Sequence, residues 1–214
     1  MQIKRFSPIR FNAKRDKSVV RNDWEIILSY TGEKEQPALV DLTHIPKWEV
    51  QYGESESLPE LGFLAPEEPS QAIIAQGLAV CRLTPNRLNI WDFTEGQTWP
   101  SGDLLTDISD GQCLLFLLGD RLSDIMQRLA HLDIDFQKKG RLAFRQGPLL
   151  GVPAKFLFLV PDGASPGMLI AAPRGYGQSL VDQILIAGAH FGLGPAGEGA
   201  FSKWWKGAGN NQGY

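Results

Sequence analysis

One short pattern occurs twice and limits what this 214-residue chain can fold into. Asp41-Leu42-Thr43 and Asp107-Ile108-Ser109 stand 66 positions apart. Each follows an aliphatic pair, Leu39-Val40 and Leu104-Leu105. Each leads into apolar strand positions, Trp48 and Val50 or Leu114 and Phe116, and closes on a glycine, Gly53 or Gly119. That separation is too long for a solenoid repeat and suits a duplicated half-domain. Coincidence is the alternative, because few positions match.

After the second opening, Cys113 to Leu118 reads as a strand. Leu122, Ile125, Met126, Leu129 and Leu132 then fall at helical spacing on one stripe. Asp120 or Ser123 is placed to cap that helix. Burying such side chains is worth roughly 1.5–3 kcal/mol each before entropy is charged. The stretch Leu104 to Leu132 is therefore expected at the core.

Around it the pattern is strand-rich. Strands are expected at Trp24–Tyr30, at Leu39–Val50 with an interruption at Pro46, and at Leu78–Leu83 with Leu88–Phe93 as a pair. Phe156–Val160 and Met168–Pro173 make a second pair. Pro69–Gly77 reads as a short helix with Pro near its start and Gly past its end. Residues 54–68 read as an acidic loop. Tyr176, Leu180, Val181, Ile184 and Leu185 form a second helical stripe stopped by Gly188. The whole is an α+β fold with mainly antiparallel sheets and helices packed on them.

Three segments follow. Residues 1–23 form a basic arm, holding seven Lys and Arg against Asp16 and Asp23. It is either a solvated arm or a docking surface for an acidic partner, with Arg5, Phe6, Arg10 and Phe11 as contacts. Residues 24–201 form one domain, with halves at about 24–103 and 104–201. Residues 202–214 are expected as a flexible tail whose Trp204 and Trp205 tuck into a groove or a neighbour.

The net charge of −3 draws the chain neither to nucleic acid nor to anionic lipid. No apolar run reaches membrane-span length, and no secretory leader is read at the N-terminus. Cys81 and Cys113 lie in apolar runs and read as buried thiols, so a cytoplasmic location is expected. Phosphate-loop, zinc, nucleophile-elbow and kinase patterns do not occur, so neither a catalytic residue nor a metal site is assigned. Asp133 and Asp135 make a weak acid/base pair. His44 is the histidine of most interest, beside Lys47 and Trp48. Gly192 to Gly199 reads as a tight connector, with a phosphate cradle as the lesser alternative.

These residues resemble a known family. Asp41-Leu42-Thr43-His44-Ile45-Pro46-Lys47-Trp48-Glu49-Val50 is similar to the Asp-aliphatic-Ser-His-x-x-Lys-x-x-Val opening of aminomethyltransferase-like, folate-binding domains. Thr106 to Asp110 is similar to the second such opening, and Leu83 to Leu88 to the hairpin before it. Gly192 to Ala200 resembles the glycine-rich segment of the glycine cleavage T-protein. In length the chain is closer to the gamma subunit of heterotetrameric sarcosine oxidase. The resemblance implies a duplicated fold with interlocked halves around a folate channel.

The sequence departs where catalytic members hold the pterin. The segment with Gly-Gly and paired Asp is missing between Val50 and Leu78, Pro161 to Gly167 replaces another anchor, and Phe201 stands for an arginine. Each lost charge-assisted hydrogen bond removes about 1.5–3 kcal/mol of ligand binding. The resemblance therefore implies a non-catalytic subunit assembling with the larger subunits of an amine oxidase or one-carbon complex. The alternative is a folate-dependent aminomethyl or methyl transferase, or a folate-binding protein. Its ligand residues would be His44, Trp48, Trp91 and Glu198, and tetrahydrofolate is the cofactor to test.

Overall fold

The computed structural model describes residues 4–53, 64–94, 104–130, 141–161 and 163–209. The chain opens with a hairpin, β1 (Arg15–Arg21) and β2 (Trp24–Tyr30). Its two-residue turn, Asn22-Asp23, has φ of 47° and 64°. Asn and Asp tolerate that left-handed conformation, and its twist matches the paired strands. β3 (Ala38–Asp41), β4 (Lys47–Gln51), β5 (Ala72–Ala75), β6 (Leu78–Thr84) and β7 (Arg87–Asp92) follow. Next come β8 (Leu105–Asp107), β9 (Gln112–Leu118), helix α1 (Leu122–Gln127), β10 (Arg141–Leu149), β11 (Val152–Val160) and β12 (Gly167–Pro173). The chain then runs through α2 (Gly177–Gly188), β13 (Gly194–Ala196) and α3 (Glu198–Gly209).

Two larger sheets are built from these strands. One runs β5-β6-β7-β4-β8 and the other β10-β11-β12-β9-β3-β13. All pairings are antiparallel except β13 on β3. The two sheets repeat one order: three meandering strands, then a strand from the start of the same half, then a strand from the other half. β8 completes the first sheet beside β4, and β3 enters the second beside β9. Each sheet thus holds strands from both sides of residue 104.

The two sequence openings lie at this crossing and make corresponding bonds. Asp41 Oδ1 accepts from the Thr43 amide at 2.9 Å, and Asp107 Oδ1 from the Ser109 amide at 2.8 Å. The Ile45 amide donates to the Leu42 carbonyl, as Gly111 does to Ile108. Across the crossing, Leu42 donates to the Leu114 carbonyl and Ile108 to that of Lys47. The Ser109 hydroxyl accepts from the Lys47 amide at 2.9 Å.

The core has two main layers. Leu115 and Leu117 of β9 face Leu122, Ile125, Leu180 and Ile184 of the helices. Leu114 and Phe116 face the other sheet, meeting Ala79, Cys81 and Trp91. Because β9 is covered on both faces, it reads as an unbroken apolar run. Cys81 and Cys113 are free and buried. Burial pushes both thiols up, Cys113 to about 11. No helix among the described residues is long and apolar enough to cross a membrane.

Several expectations change. Pro69–Gly77 is not a helix: Ala72–Ala75 is a strand, and Gln76-Gly77, with φ of 53° and 78°, is the turn of its hairpin with β6. The glycine that reads as a helix stop serves that turn. Helix α1 ends at Gln127, and its start carries no side-chain cap from Asp120 or Ser123. The predicted arm is partly folded. Its residues 15–21 are β1, and Ile9 is buried in the core. The predicted tail continues as α3 to Gly209. Leu132, Asp133, Asp135 and most of the acidic loop lie outside the described residues.

Candidate functional site

The polar centre is built on the turn between β3 and β4. The Asp41–Thr43 bond fixes that turn and directs His44 toward the start of α3. His44 Nε2 lies 2.9 Å from Glu198 Oε1, and Arg21 of β1 pairs with the other carboxylate oxygen. Glu198 is 5% exposed and stands in the first turn of α3, where the helix dipole favours negative charge. Burial alone would raise its carboxyl. The His44 hydrogen bond and the charges of His44 and Arg21 outweigh that and hold it below the usual carboxylate range.

Glycine sets the approach of α3. A Cβ on Gly197 would run into the backbone of Leu28 in β2. The Gly197 amide instead donates to Glu33 Oε2 at 2.9 Å. The glycine-rich segment therefore works as a tight connector from β13 into α3 that lets the helix start pack closely on β2.

Lys47 lies beneath the same turn and is fully buried. Its Nζ donates to the carbonyls of Thr43 at 2.8 Å and Ile45 at 2.7 Å. Burial lowers it to about 8, against the fields of Cys113, Asp41 and Asp107. It satisfies turn carbonyls rather than facing a cavity.

A cavity of about 320 Å³ lies between the N-terminal segment and β2, with His44 and Asp41 in its wall. Phe6, Arg10, Phe11, Trp24 and Tyr30 also line it. Burial, and then the Asp41 charge, push the Tyr30 hydroxyl up to about 12.

The structure therefore brings His44 and Glu198 together, but not with Trp48 or Trp91. Trp91 is buried between the sheets, and Trp48 packs beside Val50 and Leu88. Neither lines this cavity. The indole N–H groups of both have no hydrogen-bond partner among the described residues.

The residues expected to meet a partner are distributed differently too. Arg5 pairs with Asp110 at 2.6 Å and lies over the Trp24 ring. Phe6 is 54% exposed. The Arg10 amide donates to Gln178 Oε1 at 2.7 Å, while its side chain is exposed. Phe11 meets Tyr30 edge-on. Trp204 is buried against Phe116 and donates to the Ser165 carbonyl at 2.7 Å. Trp205 packs on Phe93. The Trp pair is thus internal packing.

Arg21, Lys47, Trp24 and Tyr30 join the site without having been singled out. Lys47 stood inside a quoted motif, at an inward strand position. Arg21 and Glu198 are 177 residues apart, and no local pattern links them. Among the described residues, no group of three or more His, Cys, Asp or Glu is arranged to hold a metal.

No known protein-family profile matches the chain. No curated protein sequence matches it either. The fold does match a chain of heterotetrameric sarcosine oxidase from Corynebacterium sp. U-96, solved in complex with pyrrole 2-carboxylate. The TM-score is 0.57 at 15% identity, over 72% of this chain and 84% of that one. The chain therefore has a sarcosine oxidase-related fold.

Proposed function

We propose that this chain is a non-catalytic subunit, similar to the gamma subunit of heterotetrameric sarcosine oxidase. It assembles with a larger amine-oxidising or one-carbon enzyme. The observation that carries this reading is the fold likeness over most of a chain from a four-subunit enzyme. The matched span is a larger share of that chain than of this one, so the matched chain is the shorter of the two. A small subunit suits that size. The site supports the same reading. His44 and Glu198, the polar residues best placed for a ligand, are bonded to each other, and Glu198 also to Arg21. We also take the two interlocked halves to descend from one duplicated unit, which the shared strand order supports.

The test is co-expression with the larger, flavin-dependent subunits of an amine oxidase. The expected result is a stable complex in which the chain is stoichiometric. His44→Gln should leave the oxidase turnover unchanged. A chain that stays monomeric beside every such subunit overturns the reading.

The cavity next to His44 favours a second reading, binding of a folate. Its aromatic lining suits a flat ring, and its volume lies at the lower end for small-molecule sites. Titration with tetrahydrofolate would then quench Trp24 fluorescence in the micromolar range. Flat fluorescence to millimolar ligand removes this reading.

A further inference from the structure

Several residues first expected at a partner interface are engaged inside the chain: Arg5 with Asp110, Phe11 with Tyr30, Trp204 with Phe116. A different surface is open. β1 belongs to a two-stranded sheet and pairs only with β2. Its outer edge has no strand beside it among the described residues. In a hairpin with a two-residue turn, Arg21 and Trp24 form the hydrogen-bonded pair next to the turn. Alternation then directs the N–H and C=O groups of Val20 and Ser18 outward.

The edge is also charged. Residues 1–23 hold seven of the 21 Lys and Arg but two of the 24 Asp and Glu. The surplus of five positive charges sits in a chain of net −3, so the remaining residues carry −8. Lys14, Arg15 and Lys17 are exposed on this strand and its approach, and Val20 is 59% exposed beside them. Arg15 is paired with Glu25 at 3.1 Å, whereas Lys14 and Lys17 have no ion-pair partner among the described residues. Register shifts on both sides of Lys17 and its like charges disfavour pairing with the same edge of a second copy.

We propose that the outer edge of β1 receives an extended acidic segment of the larger partner subunit as an added strand. Main-chain hydrogen bonds to Ser18 and Val20 would hold it, and Lys14 and Lys17 would select its carboxylates. This rests on the subunit reading and names the surface and the chemistry of its partner.

The probe is a fluorescein-labelled octapeptide alternating Glu and Val, titrated into the full chain at low salt and followed by anisotropy. The controls are a Glu–Pro octapeptide of the same charge, a Lys–Val octapeptide and an eight-nucleotide poly-U RNA. The Glu–Val peptide should bind at least tenfold tighter than each control. Lys14→Glu with Lys17→Glu should weaken it at least tenfold without changing the urea midpoint. Val20→Pro, which keeps the bonds to β2 and blocks the outer edge, should do the same. Equal binding of the Glu–Pro peptide would mean charge attraction without strand pairing, and equal binding of RNA a different class of ligand. Either overturns the proposal. So does a dimer in sedimentation that the double Glu variant dissolves, because a second copy would then hold the edge. A complex with the larger subunit that survives the double Glu variant unchanged leaves the subunit reading standing and removes this edge as its seat.

Discussion

Lys47 is a cation enclosed where the two turns cross, and its proton is held more weakly than in an unfolded chain. Its native pKa of about 8 lies below the ordinary 10.5. Below pH 8 both states are protonated, and the burial cost is present in full. Between 8 and 10.5 the unfolded chain holds more proton than the native one, so this group's contribution to stability rises with pH. The difference in unfolding free energy between the native protein and Lys47→Met should grow by about 3 kcal/mol across that window, at 1.36 kcal/mol per unit. Cys113 acts oppositely from pH 9 to 11, because its native pKa is raised. Only the comparison of the two proteins isolates the lysine. Urea titrations at pH 8 and 10.5 check it, and parallel stability curves would refute it. Glu198→Gln should cost roughly 3 kcal/mol at pH 7, the low end for opening a buried pair, since Arg21 still reaches water. The native Glu198 carboxyl is held below 4.5, so its stabilisation is present above that pH and fades as acid protonates it. The variant should therefore be less acid-sensitive than the native protein. His44 and Glu198 were legible as candidates because each sits in a recognisable local motif. Arg21 was not, because its role is created by folding β1 against α3.

Among the elements, α3 depends on a missing side chain. Gly197→Ala would place a methyl group against the Leu28 carbonyl and force α3 off β2, costing about 3 kcal/mol. Gly207 lies in the same helix with open space around its Cα. Gly207→Ala should instead stabilise by up to about 1 kcal/mol, through helix propensity alone. Opposite shifts in thermal midpoint are the expected result, and matching signs would refute it. β9 was readable in the sequence because burial on both faces leaves a continuous apolar run, and β6 and β7 because the turn residues Thr84 to Arg87 separate two largely apolar stretches. β1 was hidden because its side chains are polar and exposed, and its pairing comes from β2. β5 was misread because Gln76-Gly77 serves a hairpin turn, which on sequence looks like a helix end. α1 was overextended because a spacing that continues to Leu129 was fulfilled by a turn.

At the scale of the molecule, neither half can complete its own sheet. Residues 104–214 made alone lack β3, which lies between β9 and β13. That fragment should show no cooperative unfolding transition in circular dichroism. Mixing it with residues 1–103 should restore one, and a fragment that melts cooperatively by itself would refute the interlock as a source of stability. The α+β architecture was legible from the order of apolar runs and turns. The exchange of strands was implied only by the family resemblance, because it rests on pairings between segments tens of residues apart. β3 ends at Asp41, and the parallel strand that flanks it starts at Gly194. On the ribosome the earliest of these strands must therefore wait for nearly the whole chain to be translated. At 5–20 residues per second this is a delay of order ten seconds with an unfilled apolar seam, so the nascent chain is a natural client for chaperones.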